Sequence, residues 1–285
     1  MHTALLPDQP VSVVRRQPYR RFVSPTVDYG FWRIFGAQPR LLRSFLNALL
    51  PLPAGDPIDS LEYLAPAQVP DIPGLFRPSL IDVLCTARSG RVFIADVRMI
   101  WSSLHERRMV FGESEVWLKP LSATQHYSTP HPVYALTIIT SNFLPVMRGD
   151  AGSYLHHFKT VRLESSQEKL DGLEFVYVEL PKFKLASHDP AKRLQTLWLR
   201  FLSETGQEER QIVDPAFMAE GEIAEAFDLV DEDFFTDAEL GGYAKQLDAT
   251  RTDASILVDA INEGQMPLLV NVRIDTTGGA MQPVI

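Results

Sequence analysis

Apolar positions along this chain follow two rhythms, short β-rich runs in the middle and helical stripes towards either end. The densest pair of runs is Ser79 to Thr86 and Arg91 to Met99, with Ser89-Gly90 between them. Two such runs around a Gly-containing turn predict a hairpin. Away from the tips, apolar residues fall on both faces, so the pair is expected inside a covered sheet. Asp82, Asp96 and Arg98 interrupt that surface. A buried carboxylate is costly unless it is ion-paired, hydrogen-bonded or bound to a metal.

Asp96 and Arg98 are two apart and share a strand face. Asp82 joins them only if the loop has the right length. A two-residue turn at Ser89-Gly90 would oppose Asp82 to Val97. An odd-length loop centred on Ser89 opposes Asp82 to Asp96 and offers glycine for the left-handed position. The odd-length loop is the one expected here.

Elsewhere the pattern predicts a helix opened by Ser24-Pro25, running to Phe35 and stopped at Gly36. A second helix starts at Pro39, with Leu42, Phe45, Leu46 and Leu49 on one face. Ile58 to Leu64 reads as an edge strand and Pro66 to Pro78 as a loop. Trp101 to Tyr127 reads as a helix kinked or divided at Pro120. Pro132 to Thr140 is a third strand, parallel to the one before it because a helix separates them. Residues Arg148 to Asp171 are polar and mixed, and Leu173 to Leu180 is a fourth strand. Helices then follow at Ala191 to Ser203, Pro215 to Leu229 and Tyr243 to Glu263. This divides the chain into an arm (1–23), a core (24–185), a C-terminal helical region (186–265) and a loose tail (266–285). The arm carries Arg15, Arg16, Arg20 and Arg21 and is expected to be flexible.

Composition changes this picture little. The 285 residues are 45% hydrophobic and 22% charged, which suits an ordinary α/β globular protein. No apolar run is long enough to span a membrane, and no secretory leader is read, so a cytoplasmic setting is expected. A formal net charge of -9 argues against nonspecific nucleic-acid binding by the whole surface, but leaves room for a local basic site. Cys85 is the only cysteine, which excludes a disulfide framework and a multi-cysteine zinc site. The histidine pairs, His126 with His131 and His156 with His157, do not have metal-motif spacing, and surface or structural roles are expected for them.

An Asp followed by Asp-x-basic on the next strand is what a metal-dependent phosphodiesterase needs. Two carboxylates hold Mg²⁺, and a basic side chain offsets charge on the phosphate. The same three groups also form a self-sufficient Asp82–Arg98–Asp96 ion triad that needs no metal. The residues alone leave both readings open.

Several stretches, in order, resemble the PD-(D/E)xK nuclease family transposases, also called the recombination-promoting nuclease (Rpn) family of bacteria. Asp28 to Gly36 resembles that family's D-x-x-F-x-x-I-F-G helix, and Leu42 to Leu50 its L-x-x-F-L-N-A-L-L. Ile81-Asp82-Val83 followed by Gly90 to Met99 is similar to its D…G-R-x-x-x-I-E-M-Q hairpin. Glu179-Leu180-Pro181-Lys182-Phe183 repeats its E-L-P-K-F. The resemblance spans about residues 24 to 265. It implies a restriction-endonuclease-like α/β fold, with a mixed β-sheet core flanked by helices and a C-terminal helical extension. It also implies a Mg²⁺-dependent DNA endonuclease, a hydrolase linked to DNA recombination or mobile elements. By position, Asp82 and Asp96 are the implied metal ligands and Arg98 the third catalytic residue. Arg98, Arg107, Arg108 and Lys119 are the candidate DNA contacts. DNA is the expected partner, with no membrane and no small-molecule cofactor, and self-association is left open.

Two departures matter. Asp96 replaces Glu, which keeps the charge on a shorter side chain. Arg98 replaces Lys or Gln, and a guanidinium cannot act as a base and can itself neutralise both carboxylates. The alternative function is therefore a catalytically degenerate member that binds DNA or protein.

Overall fold

The computed structural model describes residues 19–64, 80–100, 132–140, 153–162, 165–183, 192–208 and 211–262. Among these, six strands form one mixed sheet in the order β1-β2-β3-β4-β6-β5. They are β1 (Ile58–Tyr63), β2 (Leu80–Ala87), β3 (Val92–Ile100), β4 (Val133–Ile139), β5 (Leu155–Arg162) and β6 (Ser165–Glu179). The β1–β2, β2–β3 and β5–β6 pairs are antiparallel, while β3–β4 and β4–β6 are parallel. The parallel pairing of β3 and β4 and the edge position of β1 are as the sequence predicts. The predicted loop over Pro66 to Pro78, the helix over Trp101 to Tyr127 and the tail over 266–285 lie outside the described residues.

The described helices gather on one face of the sheet. α1 (Asp28–Phe31) runs directly into a π-helical turn over Trp32–Gly36. It starts later than Ser24 because residues 25 and 26 form a turn, and the cap position falls to Val27. α2 (Pro39–Leu49) begins on its proline as expected, and Leu42, Phe45, Leu46 and Leu49 are buried. Asn47 ties this helix to the sheet. Its side-chain amide donates to the Ile58 carbonyl at 3.1 Å, and its carbonyl oxygen accepts from the Ile58 N–H at 2.7 Å. α3 (Arg193–Glu204) crosses behind α2, and the Trp198 ring sits 5.5 Å from Phe35 and 5.6 Å from Phe45.

The predicted helix from Pro215 to Leu229 is two helices, α4 (Pro215–Met218) and α5 (Gly221–Val230). Gly221 follows a break at residues 219–220. α6 (Asp237–Asn262) starts earlier than the expected Tyr243. Its N-terminus is a capping box, in which the Glu239 carboxylate accepts from the Thr236 N–H at 2.7 Å and from its hydroxyl at 2.9 Å.

One apolar core joins these parts. On the sheet side it holds Ile81, Val83, Cys85, Phe93, Ala95, Val97, Leu136, Ile138, Val176 and Val178. On the helical side it holds Phe31, Phe35, Phe45, Trp198, Phe201 and Phe227. The described C-terminal helices share this core with the residues before them.

The N-terminal arm also differs from expectation where it is described. Arg20 and Phe22 form β-bridges with Gln211 and Asp231, and Phe22 and Val23 are buried. Arg20 is ion-paired with Asp231 and Asp228, and Arg21 with Glu232. Arg15 and Arg16 lie outside the described residues. Buried apolar neighbours and acidic partners hold residues 19–23 in place, a pairing that local sequence does not reveal.

Candidate active site

The geometry begins at the β2–β3 loop. The Ala87 N–H donates to the Arg91 carbonyl at 2.8 Å, and the Gly90 N–H to the Ala87 carbonyl at 2.9 Å. Residues 88–90 are therefore a three-residue loop, and Gly90 adopts φ +83°, a left-handed conformation that suits glycine. Asp56 clamps the loop by accepting from the Ser89 N–H at 2.8 Å and the Ser89 hydroxyl at 3.0 Å. The Ser89 N–H above all, aided by the Ser89 hydroxyl and Arg91, holds the Asp56 carboxyl below the usual range. Arg91 stacks 4.9 Å from the Phe93 ring and donates to the Tyr134 hydroxyl at 3.3 Å.

This odd-length loop sets the register. Asp82 stands opposite Asp96, and Leu80 opposite Arg98. Alternation along each strand puts the four positions on one sheet face. It is the face away from the helical core, because the intervening Ile81, Val83, Ala95 and Val97 belong to that core. Ile94 and Val133 form a separate small cluster on the Asp82 face, with Leu64 and Leu84. In β4, Ala135 lies beside Asp96 and Thr137 beside Arg98. Both β4 residues are buried, so the strand is covered on either face. Cys85 points the other way, buried in the core, and burial pushes its thiol up to about 12. It is a packing residue.

The structure thus brings Asp82, Asp96 and Arg98 to adjacent positions on one face. Arg107, Arg108 and Lys119 lie outside the described residues. Two carboxylates on facing strands are hard oxygen donors, a set that fits a divalent cation such as Mg²⁺. No cluster of three or more His, Cys, Asp or Glu side chains suited to a metal occurs among the described residues.

A third carboxylate on this face has a different environment. Glu179 closes β6, is buried, and lies beside Ile139 of β4. It pairs with His156 Nε2 at 2.9 Å and accepts from Lys182 Nζ at 2.8 Å. The sequence singles out Glu179 and Lys182 as parts of one motif. It does not place His156 beside them, because β5 lacks the apolar alternation that announces a strand.

A mixed sheet flanked by helices, carrying an Asp and an Asp-x-Arg on its antiparallel hairpin, is a restriction-endonuclease-like architecture of the PD-(D/E)XK type. The family described as PD-(D/E)XK nuclease family transposase matches residues 25–260, and the chain belongs to it. No curated protein and no solved structure matches the chain. Among the described residues, no helix is long and apolar enough to cross a membrane.

Proposed function

We infer that the protein is a Mg²⁺-dependent DNA endonuclease acting at recombining or mobile DNA, with Asp82 and Asp96 as the metal ligands. One observation carries the reading, the register that sets Asp82 opposite Asp96 with Arg98 one same-face step along the strand. The bound metal would polarise a phosphate oxygen and lower the pKa of a coordinated water. Arg98 would supply a permanent positive charge and two parallel N–H donors for a phosphate. It takes no proton, since a guanidinium stays charged at any working pH.

The same position of Arg98 favours a second reading. A fixed cation two residues after Asp96 can neutralise both carboxylates and fill the place of the metal. The protein would then be a degenerate relative that binds DNA or protein without cutting it.

Nicking of supercoiled plasmid separates the two readings. The nuclease reading expects Mg²⁺- or Mn²⁺-dependent nicking that falls at least a hundredfold, on the order of 3 kcal/mol, in Asp82→Asn and in Asp96→Asn. Calorimetry should show metal binding that both variants lose. If the wild-type protein binds no metal and Arg98→Lys gains both binding and cleavage, the degenerate reading holds instead.

A further inference from the structure

The face that carries Asp82 and Asp96 continues across the sheet into residues the proposed chemistry does not use. Register runs Asp82–Asp96–Ala135–Phe175–Phe158 along one rung and Leu80–Arg98–Thr137–Tyr177–His156 along the next. The far end of both rungs is aromatic. Phe158 meets Tyr177 edge-on at 5.8 Å between ring centroids, and Phe175 lies nearly parallel to Tyr177 at 6.4 Å. Exposure rises along the first rung, from 6% at Ala135 to 42% at Phe158. Leaving a phenylalanine that open forfeits burial energy that the fold does not recover.

The charge around the ring is balanced. The strand β5 reads Leu-His-His-Phe-Lys-Thr-Val-Arg, but its His157 and Lys159 pair with Glu174 at 2.5 and 3.2 Å and alternate to the face opposite Phe158, while His156 pairs with Glu179. Lys182, just past the end of β6, pairs with the same Glu179 at 2.8 Å. Paired charges leave the strand near neutral, so what this face offers a nucleic acid is the open ring, which takes bases and not phosphates. Three strand spacings separate β3 from β5, about 14 Å, a span that a short length of unpaired strand covers. Bases inside a duplex are stacked on one another, and only an unpaired base offers its face to a ring.

We propose that Phe158, supported by Tyr177 and Phe175, is a stacking platform for unpaired bases, so that the substrate of the Asp82–Asp96 face is DNA with a single-stranded segment. This rests on reading the face as a nuclease surface. Stacking is tolerant of base identity, so the platform selects strand state over sequence.

The test uses the full chain with Ca²⁺ in place of Mg²⁺, so that bound DNA stays intact, at one fixed salt concentration. Binding of fluorescein-labelled oligothymidylate is compared with binding of its duplex with oligoadenylate. Phe158→Ala should weaken single-strand binding by about five- to a hundredfold and leave duplex binding unchanged. Phe158→Trp should keep the affinity, because it keeps a ring. Phe158→Trp should melt like the wild-type protein, and Phe158→Ala, which loses the ring contact with Tyr177, should melt a few degrees lower but stay folded at the assay temperature.

Equal single-strand affinity in Phe158→Ala and the wild-type protein overturns the platform, as does an equal loss on both DNAs. A change of oligomeric state in Phe158→Ala, with single-strand affinity unchanged, would assign the ring to a second copy of the chain and also overturn it. The two proposals fail separately. If the wild-type protein does not cut but its single-strand binding depends on Phe158, the hydrolytic reading falls and the platform stands. If it cuts while Phe158→Ala binds normally, the platform alone falls.

Discussion

A Cβ placed on Gly30 would stand 2.2 Å from the carbonyl oxygen of Ser24 and 3.1 Å from the Cα of Pro25. Both are backbone atoms, so the entry turn itself would have to move. Gly30→Ala is therefore expected to destabilise the protein by about 1–3 kcal/mol, read as a lower urea midpoint at unchanged slope. Helix propensity alone would predict the opposite sign, because alanine favours helices over glycine. The same contact explains why Ser24-Pro25 does not open the helix. The turn lies against Gly30, its Ser24 hydroxyl engages Thr26 at 2.9 Å, and regular helix begins only at Asp28. Asp28 is buried, and its carboxylate accepts from the Gln246 side chain of α6 at 2.7 Å. The sequence marks Asp28 as part of a recurring motif, but its partner lies 218 residues away. Arg98 is the residue whose identity bears most on function, and the Arg98→Lys nicking experiment is argued at this scale.

At the scale of elements, two features follow from pairing more than from local pattern. The β5–β6 hairpin is the first. Only Leu173 to Glu179 of β6 pairs with β4, while its earlier residues pair with β5 alone. That stem reads Ser-Ser-Gln-Glu-Lys-Leu-Asp-Gly and has little apolar content, so periodicity places the start of the strand at Leu173 instead of Ser165. A hairpin stem beside the sheet needs only its own backbone hydrogen bonds, and its side chains are free to be polar. The second feature is the attachment of α6. Glu239 accepts from the Tyr29 hydroxyl at 2.5 Å and pairs with Arg33 at 3.3 Å, joining α6 to the opening helix. Arg33 also lies 4.2 Å from the Phe235 ring.

The Tyr29 hydrogen bond, then the Thr236 N–H, holds the Glu239 carboxyl down at about 2, against 4.5 for an ordinary glutamate. Burial, then Glu239, pushes the Tyr29 hydroxyl up to about 12. A depressed folded-state pKa contributes stability above the ordinary value and loses it as pH falls towards the folded value. The wild-type protein should therefore lose melting temperature between about pH 4.5 and about pH 2 through this group. Solvent screening keeps the contribution to about 1 kcal/mol. Glu239→Gln should be less stable at neutral pH and show a shallower acid decline in a calorimetric pH series. Parallel declines in the two proteins would remove Glu239 from the acid transition. The sequence carries that capping box as Thr236-Asp-Ala-Glu239, a signal that the reading from apolar spacing, which began the helix at Tyr243, passed over.

For the whole molecule, Trp198 is the joint. It is fully buried, its rings contact Phe35, Phe45 and Phe201, and its indole N–H donates to the Ser44 hydroxyl at 3.2 Å. Trp198→Ala should cost about 3–5 kcal/mol. Because the C-terminal helices share that core, near-UV and far-UV circular dichroism should report one common unfolding transition in the wild-type protein. Two separated transitions would show that residues 186–265 fold independently. From sequence alone, β2, β3 and β4 were determined by short apolar runs rich in β-formers, α2 by its proline start and 3.6-residue stripe, and the carboxylate pair by loop parity at Ser89-Gly90. These are short-range properties, set by steric preference and periodicity within a few residues. Tertiary structure decided what depends on partners far along the chain. It placed β5 at the sheet edge, held Arg20 and Phe22 against Asp231 and Phe227, and brought His156 to Glu179. Polar groups in those places gain their energy from specific hydrogen bonds and ion pairs, which leave no period in the sequence. The rung running from Asp82 to Phe158 exists only once five strands are set side by side.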